Sequence, residues 1–227
     1  MRRVLNKWLY KKGYKIQKIG KTPYLLEDLI KKRGPLTFLQ IGANDGISFD
    51  NLYPIVTKHR CKGVVVEPLP DMFERLSLNF KHHAQIKPVR VAVHPSETTA
   101  FIYRVSKNRL DQYDDWCSGI ASFSKDHLLK HNIKLEDIEY EVVPCQPLMT
   151  LIQEQGLTNI DYLQIDTEGF DHEVLNMLDL EQVKPAIIKF EKVHTPANEF
   201  KKIQRKLEHH GYEIIDDTRD AIAVLES

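Results

Sequence analysis

From residue 36 onward, short apolar runs alternate with amphipathic stretches, a rhythm that predicts repeated strand and helix units around a mostly parallel sheet. Leu36-Thr37-Phe38-Leu39-Gln40-Ile41 reads as the first buried strand and stops at Gly42. Leu52, Ile55 and Val56 then fall at helical spacing within 50–60, although Pro54 restricts where that helix begins. Gly63-Val64-Val65-Val66-Glu67 is β-branched and apolar, the mark of a second strand, and Pro68 ends it. Pro70 and Asp71 open a helix that carries Met72, Phe73, Leu76 and Phe80 on one face. A third strand is expected near Val89 to Val93, and Ala100 to Val105 adds an edge strand or hairpin.

The stretch from 106 to 147 is the least regular and is expected to be an insertion that forms a lid or binds substrate. Regularity returns with the strand Ile160 to Asp166, a helix burying Val174, Leu175 and Leu178, and the strand Ala186 to Glu191. Phe200, Ile203 and Leu207 form one helical stripe that Gly211 terminates. Tyr212 to Ile215 and Ala221 to Leu225 are two last strands joined by the polar turn Asp216 to Asp220. So short a connection makes them antiparallel, because a parallel return needs about a dozen residues or more. The fold class is therefore α/β, doubly wound and mostly parallel, with a C-terminal antiparallel hairpin. Residues 1–35 form a basic, partly helical leader ahead of one domain at 36–227.

Composition adds an ordinary globular balance: 42% hydrophobic and 28% charged residues, with 32 basic and 32 acidic side chains. No overall field draws the chain to nucleic acid or anionic lipid. The distribution is uneven, since residues 1–33 hold 11 basic and 2 acidic side chains, leaving 21 against 30 elsewhere. This arm either docks an anionic acceptor or the periphery of a membrane, or is a solvated leader helix with Val4, Trp8 and Leu9 on the core; the second is the commoner fate. It lacks the apolar run of about 7 or more residues that marks a secretory signal. No stretch reaches the ~20 apolar residues of a transmembrane helix. Cys61, Cys117 and Cys145 are scattered, without zinc or disulfide spacing, so a cytoplasmic setting is expected.

Ligands on open α/β sheets bind beyond the carboxyl ends of the strands. Gly42-Ala43-Asn44-Asp45-Gly46 follows the first strand and permits tight turns and close ligand approach. Glu67 ends the second strand, near the separation of roughly 20 residues at which a carboxylate accepts hydrogen bonds from ribose hydroxyls. Either feature alone fits an ordinary strand-to-helix turn; together they favour a nucleoside cofactor. A dinucleotide would need G-x-G-x-x-G, which is missing, and Asp45 would repel its pyrophosphate. An acidic loop instead suits the ammonium and sulfonium of S-adenosylmethionine.

Ile41-Gly42-Ala43-Asn44-Asp45-Gly46, Val66-Glu67-Pro68 with Phe73-Glu74-Arg75-Leu76 and Asn79, Val91-Ala92-Val93, and Ile165-Asp166-Thr167-Glu168-Gly169-Phe170 with Val174-Leu175 resemble the FkbM-type methyltransferases in matching order over 37–193. The resemblance implies the seven-stranded, Rossmann-like sheet of class I methyltransferases, with S-adenosylmethionine as cofactor. It further implies that Gly42, Ala43, Asn44, Asp45 and Gly46 line the methionine part. Glu67, beside Pro68, would hold the ribose, the backbone near Ala92 would flank adenine, and Ser122 of Gly119-Ile120-Ala121-Ser122 would face the cofactor. Asn44 departs from the glycine usual in the general class I motif. The acceptors that the resemblance suggests are sugars, polysaccharide units or natural products, methylated at a hydroxyl oxygen.

The fourth strand end, Asp166 to Glu173, is dense in acids and would border the reaction centre. Asp166, Glu168 and His194 are the candidate bases, Asp166 also facing the sulfonium, and Glu191 is a possible orienting partner. Asp171 and Glu173 fit the first turn of a helix, where the dipole favours carboxylates, and read as structural. Asp166, Glu168 and a nearby histidine holding Mg²⁺ is a weaker alternative, because no motif fixes a ligand geometry, and no metal ligand is assigned. Tyr113, Trp116, His127 and His131 are expected to shape the acceptor pocket. Two competing functions remain: a non-catalytic module that keeps the fold to bind a protein or glycan, and a nicotinamide oxidoreductase, disfavoured by the missing third glycine.

Overall fold

A computed structural model of the chain describes residues 20–226. The expectations for Val4, Trp8 and Leu9 lie outside the described residues. Helix α1 spans Thr22–Arg33 and buries Leu26 and Ile30. A seven-stranded sheet forms the centre. Its strands are β1 (Thr37–Ile41), β2 (Lys62–Val66), β3 (Ile86–Val89), β8 (Tyr162–Ile165), β9 (Ile187–Glu191), β10 (Tyr212–Asp217) and β11 (Asp220–Leu225), in the order β10-β11-β9-β8-β1-β2-β3. All neighbours are parallel except β11, which pairs antiparallel with both β9 and β10.

Alternation along the central strands explains the two layers of helices, since successive side chains point to opposite faces. Leu39 and Ile41 of β1, Val64 and Val66 of β2, and Leu163 and Ile165 of β8 belong to one core. That core is covered by α5 (Leu148–Glu154), α6 (Asp171–Met177) and α7 (Ala197–His209). Phe38, Val65 and Tyr162 face the other way, against α1, α2 (Leu52–Lys58) and α3 (Pro70–Phe80). Each fully buried aliphatic side chain contributes roughly 1.5–3 kcal/mol, so a register slip of one residue in β1 would exchange its two cores at large cost. Pro54 stands third in α2, where its missing N–H would have had no helical partner.

Two parts of the pattern come out differently. The third strand does not run from Val89 to Val93: β3 ends at Val89, and β4 (Ala92–Val93) belongs to another sheet. The stretch 106–147 is also less irregular than its sequence suggests. Its last residues form the nine-residue strand β7 (Ile138–Gln146), which pairs antiparallel with β5 (Thr99–Val105). With β4 and the short β6 (Ala121–Ser122) these make a four-stranded second sheet, and helix α4 (Lys125–Lys130) lies between β6 and β7 along the chain. No helix among the described residues is long and apolar enough to cross a membrane.

Candidate active site

Strand order reverses at β1, which has β2 on one side and β8 on the other. Beyond the carboxyl ends of these strands lies a cleft of about 580 Å³, the place and size expected for a ligand site on a doubly wound sheet.

Backbone approach shapes its first wall. Gly42 has φ +76°, and a Cβ there would lie 1.8 Å from the Asp166 carbonyl oxygen, so only glycine lets the end of β1 pass the end of β8. The Gly42 and Ala43 N–H groups both donate to the Val66 carbonyl, at 3.0 and 2.9 Å. Asn44 follows at φ +50°, a left-handed conformation that asparagine tolerates better than most residues, which accounts for its standing where glycine is usual. Its Oδ1 accepts the Asp45 N–H at 2.7 Å.

The Asn44 N–H donates to Glu67 Oε2, and the Leu69 N–H donates to Glu67 Oε1, both at 2.9 Å. The turn and the carboxylate at the end of β2 therefore meet directly. Glu67 is buried, and burial pushes its carboxyl up to about 7 against the pull of the two amides and of Arg104. Each of its oxygens takes one backbone N–H and keeps a further lone pair for a ligand.

Asp45 also lines the cleft. Burial opposes its ionisation, but the Ser48 hydroxyl and the Ser48 and Ile47 amides hold its carboxyl below the usual range. Pro68 and Ala92 line the cleft as well. Gly46 does not. Its Cβ would come within 2.7 Å of Leu76 Cδ1 and Phe80 Cε2, so its small size serves the packing of the turn on α3. Nor does Ser122: Ala121 and Phe123 line the cleft, while Ser122, on the opposite face of the strand, is buried and donates to the Glu168 carbonyl at 2.7 Å.

Asp166, Thr167 and Glu168 form the far end of the cleft. Withdrawal from bulk water, then the charges of Glu168 and Asp171, raise the Asp166 carboxyl well above its ordinary range, with Lys189 opposing. The Asp166 side chain is nevertheless exposed to the cleft, and water entering there weakens the shift. Glu168 sits at φ +48°, a strained conformation for a non-glycine residue, with its Oε2 3.1 Å from His127 Nε2. Asp171, by contrast, is buried at the start of α6 and accepts the Thr167 N–H and hydroxyl and the Glu191 N–H, as a structural carboxylate should. Burial, relieved in part by those donors, lifts it to about 6.

His194 is not among the cleft-lining residues; it packs against His127 and His131 at centroid distances of 4.6 and 5.1 Å. Its Nε2 lies 3.8 Å from Glu191 Oε2 and 3.2 Å from Arg219 Nη2. Of the residues expected to shape an acceptor pocket, Trp116 and His131 line the cleft. Tyr113 instead donates to Asp137 at 2.6 Å, and His127 is buried behind Glu168. Pattern reading missed Asp50, which takes Gln40 and Gln164 side-chain amides at 2.5 and 3.1 Å on the cleft floor, and Arg219, which reaches the cleft from the β10–β11 turn and pairs with Glu191 at 2.8 Å. Buried glutamines on two central strands were the one local hint of such a polar floor.

The methyltransferase FkbM domain model matches residues 40–214. No curated protein gives a significant match. Among solved structures, the O-methyltransferase from Bacillus cereus in complex with SAH is similar over 92% of this chain and 83% of its own, with 10% identity and a TM-score of 0.51. A methyltransferase from Pyrococcus furiosus (13% identity, 98% and 95% coverage, TM-score 0.42) and a precorrin-6y C5,15-methyltransferase from Geobacter metallireducens GS-15 (12%, 88% and 84%, 0.41) are also found. At these identities the first likeness speaks for the fold alone. With the family model spanning most of the chain, and the glycine turn, Glu67 and Asp166 to Glu168 gathered in one cleft, the protein belongs to the FkbM methyltransferase family.

Proposed function

We propose that the protein binds S-adenosylmethionine between the Gly42–Asp45 turn and Glu67, and methylates a hydroxyl oxygen of a small-molecule or glycan acceptor held by the wall that residues 106–147 contribute. One observation carries this assignment: the Asn44 amide and the Glu67 carboxylate are joined at 2.9 Å and face the same cleft as Asp166 and Glu168. The residues suit the cofactor. Glu67 has lone pairs for two ribose hydroxyls, Ala92 and Pro68 offer small apolar surface for a purine, and ionised Asp45 and the acidic far end favour a cation.

When bound, S-adenosylmethionine supplies an electrophilic methyl group. The chain's own contribution is to orient the acceptor and take up its proton. The Gly42–Asp45 turn and Glu67 would hold the cofactor so that its methyl passes to the acceptor oxygen, the methyl–sulfur electron pair staying with sulfur. The hydroxyl proton passes to Asp166 or Glu168, the two candidate bases that line the cleft. Asp166, exposed to the cleft and with its carboxyl raised by burial and by Glu168 and Asp171, binds a proton more readily than an ordinary carboxylate. Phe49 and Trp116, both exposed large side chains on the cleft, offer aromatic faces to a sugar ring.

Calorimetry with S-adenosylmethionine, followed by methyl transfer to a panel of sugars, tests the assignment. Binding should be present in the native chain and in Asp166→Asn. Turnover in Asp166→Asn should fall by about 10²–10⁴. Absence of binding, or binding that survives Glu67→Ala, overturns it.

A further inference from the structure

Beside the acceptor end of the cleft, three segments distant in sequence bring three imidazoles and a carboxylate together. His127 comes from α4 and His131 from its C-terminal end, Glu168 follows β8, and His194 follows β9. Each offers one ligand atom, and those four atoms all lie within 4.8 Å of one another. Glu168 Oε2 is 3.1 Å from His127 Nε2, and the His127 and His131 rings are 4.9 Å apart.

We infer that His127, His131, Glu168 and His194 form a binding site for a first-row divalent transition metal of the zinc type, held by four protein ligands and able to take an acceptor oxygen from the cleft as a fifth.

Donor chemistry selects the ion. Three imidazoles and one carboxylate suit zinc and its first-row neighbours, whereas Mg²⁺ prefers oxygen ligands and keeps its waters. Tetrahedral zinc with Zn–N near 2.0–2.1 Å needs ligands roughly 3.3 Å apart, so the set must close by about 1.5 Å at most, which side-chain rotation supplies.

Three further features point the same way. The His131 Nε2 is buried without a hydrogen-bond partner, and so is Glu191 Oε2 behind His194, which leaves one ring nitrogen of the cluster and one carboxylate oxygen beside it unsatisfied. Gly169 makes room: a Cβ there would lie 3.1 Å from His127 Nδ1, and its φ of +95° follows the strained Glu168. Arg219 beside the cluster is paired with Glu191 at 2.8 Å, and Glu168 and Asp166 add carboxylates at the same end of the cleft.

Because His131 and Glu168 line the cleft, an ion held there would polarise an acceptor hydroxyl and ease loss of its proton, a role that rests on the proposed O-methylation. His194 would then serve as a ligand, leaving proton uptake to Asp166.

The test loads chelator-treated full-length protein with Zn²⁺ by calorimetry and with Co²⁺ as a spectroscopic probe. One ion per chain is expected, with a visible absorption band of Co²⁺ bound to nitrogen ligands. A zinc-dependent rise in melting temperature should accompany it. His131→Gln and His194→Gln, checked for folding by circular dichroism, should each lose about 100-fold in zinc affinity. Lack of uptake by the native chain, or equal uptake by both variants, overturns the site. S-adenosylmethionine binding, measured in the same metal-free protein, separates the two proposals. Cofactor binding without zinc uptake overturns this one alone, and zinc uptake without cofactor binding supports it while overturning the assigned methyl transfer.

Discussion

The two ends of the cleft are built by different means. At the β1 and β2 end the groups that face a ligand are mostly backbone, fixed by hydrogen bonds between strands: Gly42 and Ala43 on Val66, Asn44 and Leu69 on Glu67. At the β8 end they are side chains delivered by separate segments: Glu168 after β8, His194 after β9, His131 at the end of α4, Arg219 from the terminal hairpin. A backbone cradle is rigid and hard to change without losing the fold. A side-chain cluster can be replaced one member at a time, so one scaffold can keep its cofactor while its acceptor varies. Substitutions at the first end should therefore register as loss of structure or cofactor affinity, and those at the second mainly as loss of turnover or metal.

The largest effect is expected at Gly42. Adding a Cβ places it 1.8 Å from backbone that cannot retreat without parting β1 from β8, and the positive φ adds its own cost. Gly42→Ala should destabilise the fold by about 4 kcal/mol or more, read by denaturant unfolding. A small change in midpoint would show the first end to be more pliable than the second, reversing the contrast.

Glu67→Gln comes next. Its replacement turns an amide NH₂ toward the Asn44 or Leu69 N–H and removes a charge from a buried acceptor. Charge-assisted hydrogen bonds are worth about 1.5–3 kcal/mol, so S-adenosylmethionine affinity should fall roughly 10- to 100-fold. The same carboxylate sets the sense of the pH dependence. A ligand that donates to Glu67 needs it ionised, and its pKa is pushed up to about 7. Below that pH affinity should fall by up to about tenfold per unit, above it affinity should level off, and in Glu67→Gln this slope should vanish. Stability without cofactor runs the other way. The folded carboxyl keeps a proton that the unfolded chain, titrating near the ordinary glutamate value of 4.5, has already lost. Its contribution therefore favours the fold below pH 4.5 and is lost as pH rises through about 7.

The same contrast explains what the sequence could say. The β1 and β2 end is local: a five-residue turn and one glutamate at consecutive strand ends, all visible in the order of residues. The β8 end is not. His127 and His131 stand four apart, the spacing of one helical face, but nothing in the chain brings Glu168 and His194 to them until β8 and β9 lie side by side. Strand β7 escaped notice because Glu139, Glu141 and Pro144 interrupt its apolar pattern, and Tyr140 and Val142 remain exposed rather than buried. In a strand as short as β6, the face that Ser122 takes depends on its pairing with Tyr103, which no local period reveals. The parallel core was legible for the opposite reason, since Leu39, Val64, Leu163 and Ile188 are fully or almost fully buried and the strands read as apolar runs.

Ser122 gives the smallest effect and the finest test of the boundary between the two ends. Its hydroxyl donates to the Glu168 carbonyl at 2.7 Å and accepts the Ser124 N–H at 3.3 Å, and the residue does not line the cleft. The bond holds Glu168 in its left-handed conformation, so loss of the hydroxyl frees a strained residue rather than a cofactor contact. Ser122→Ala should cost about 1–2 kcal/mol of stability and lower turnover a few-fold, while S-adenosylmethionine affinity stays within twofold of native by calorimetry. A tenfold loss of affinity would instead put Ser122 on the cofactor. The two ends would then share a residue, and acceptor variation could no longer proceed without disturbing the cradle.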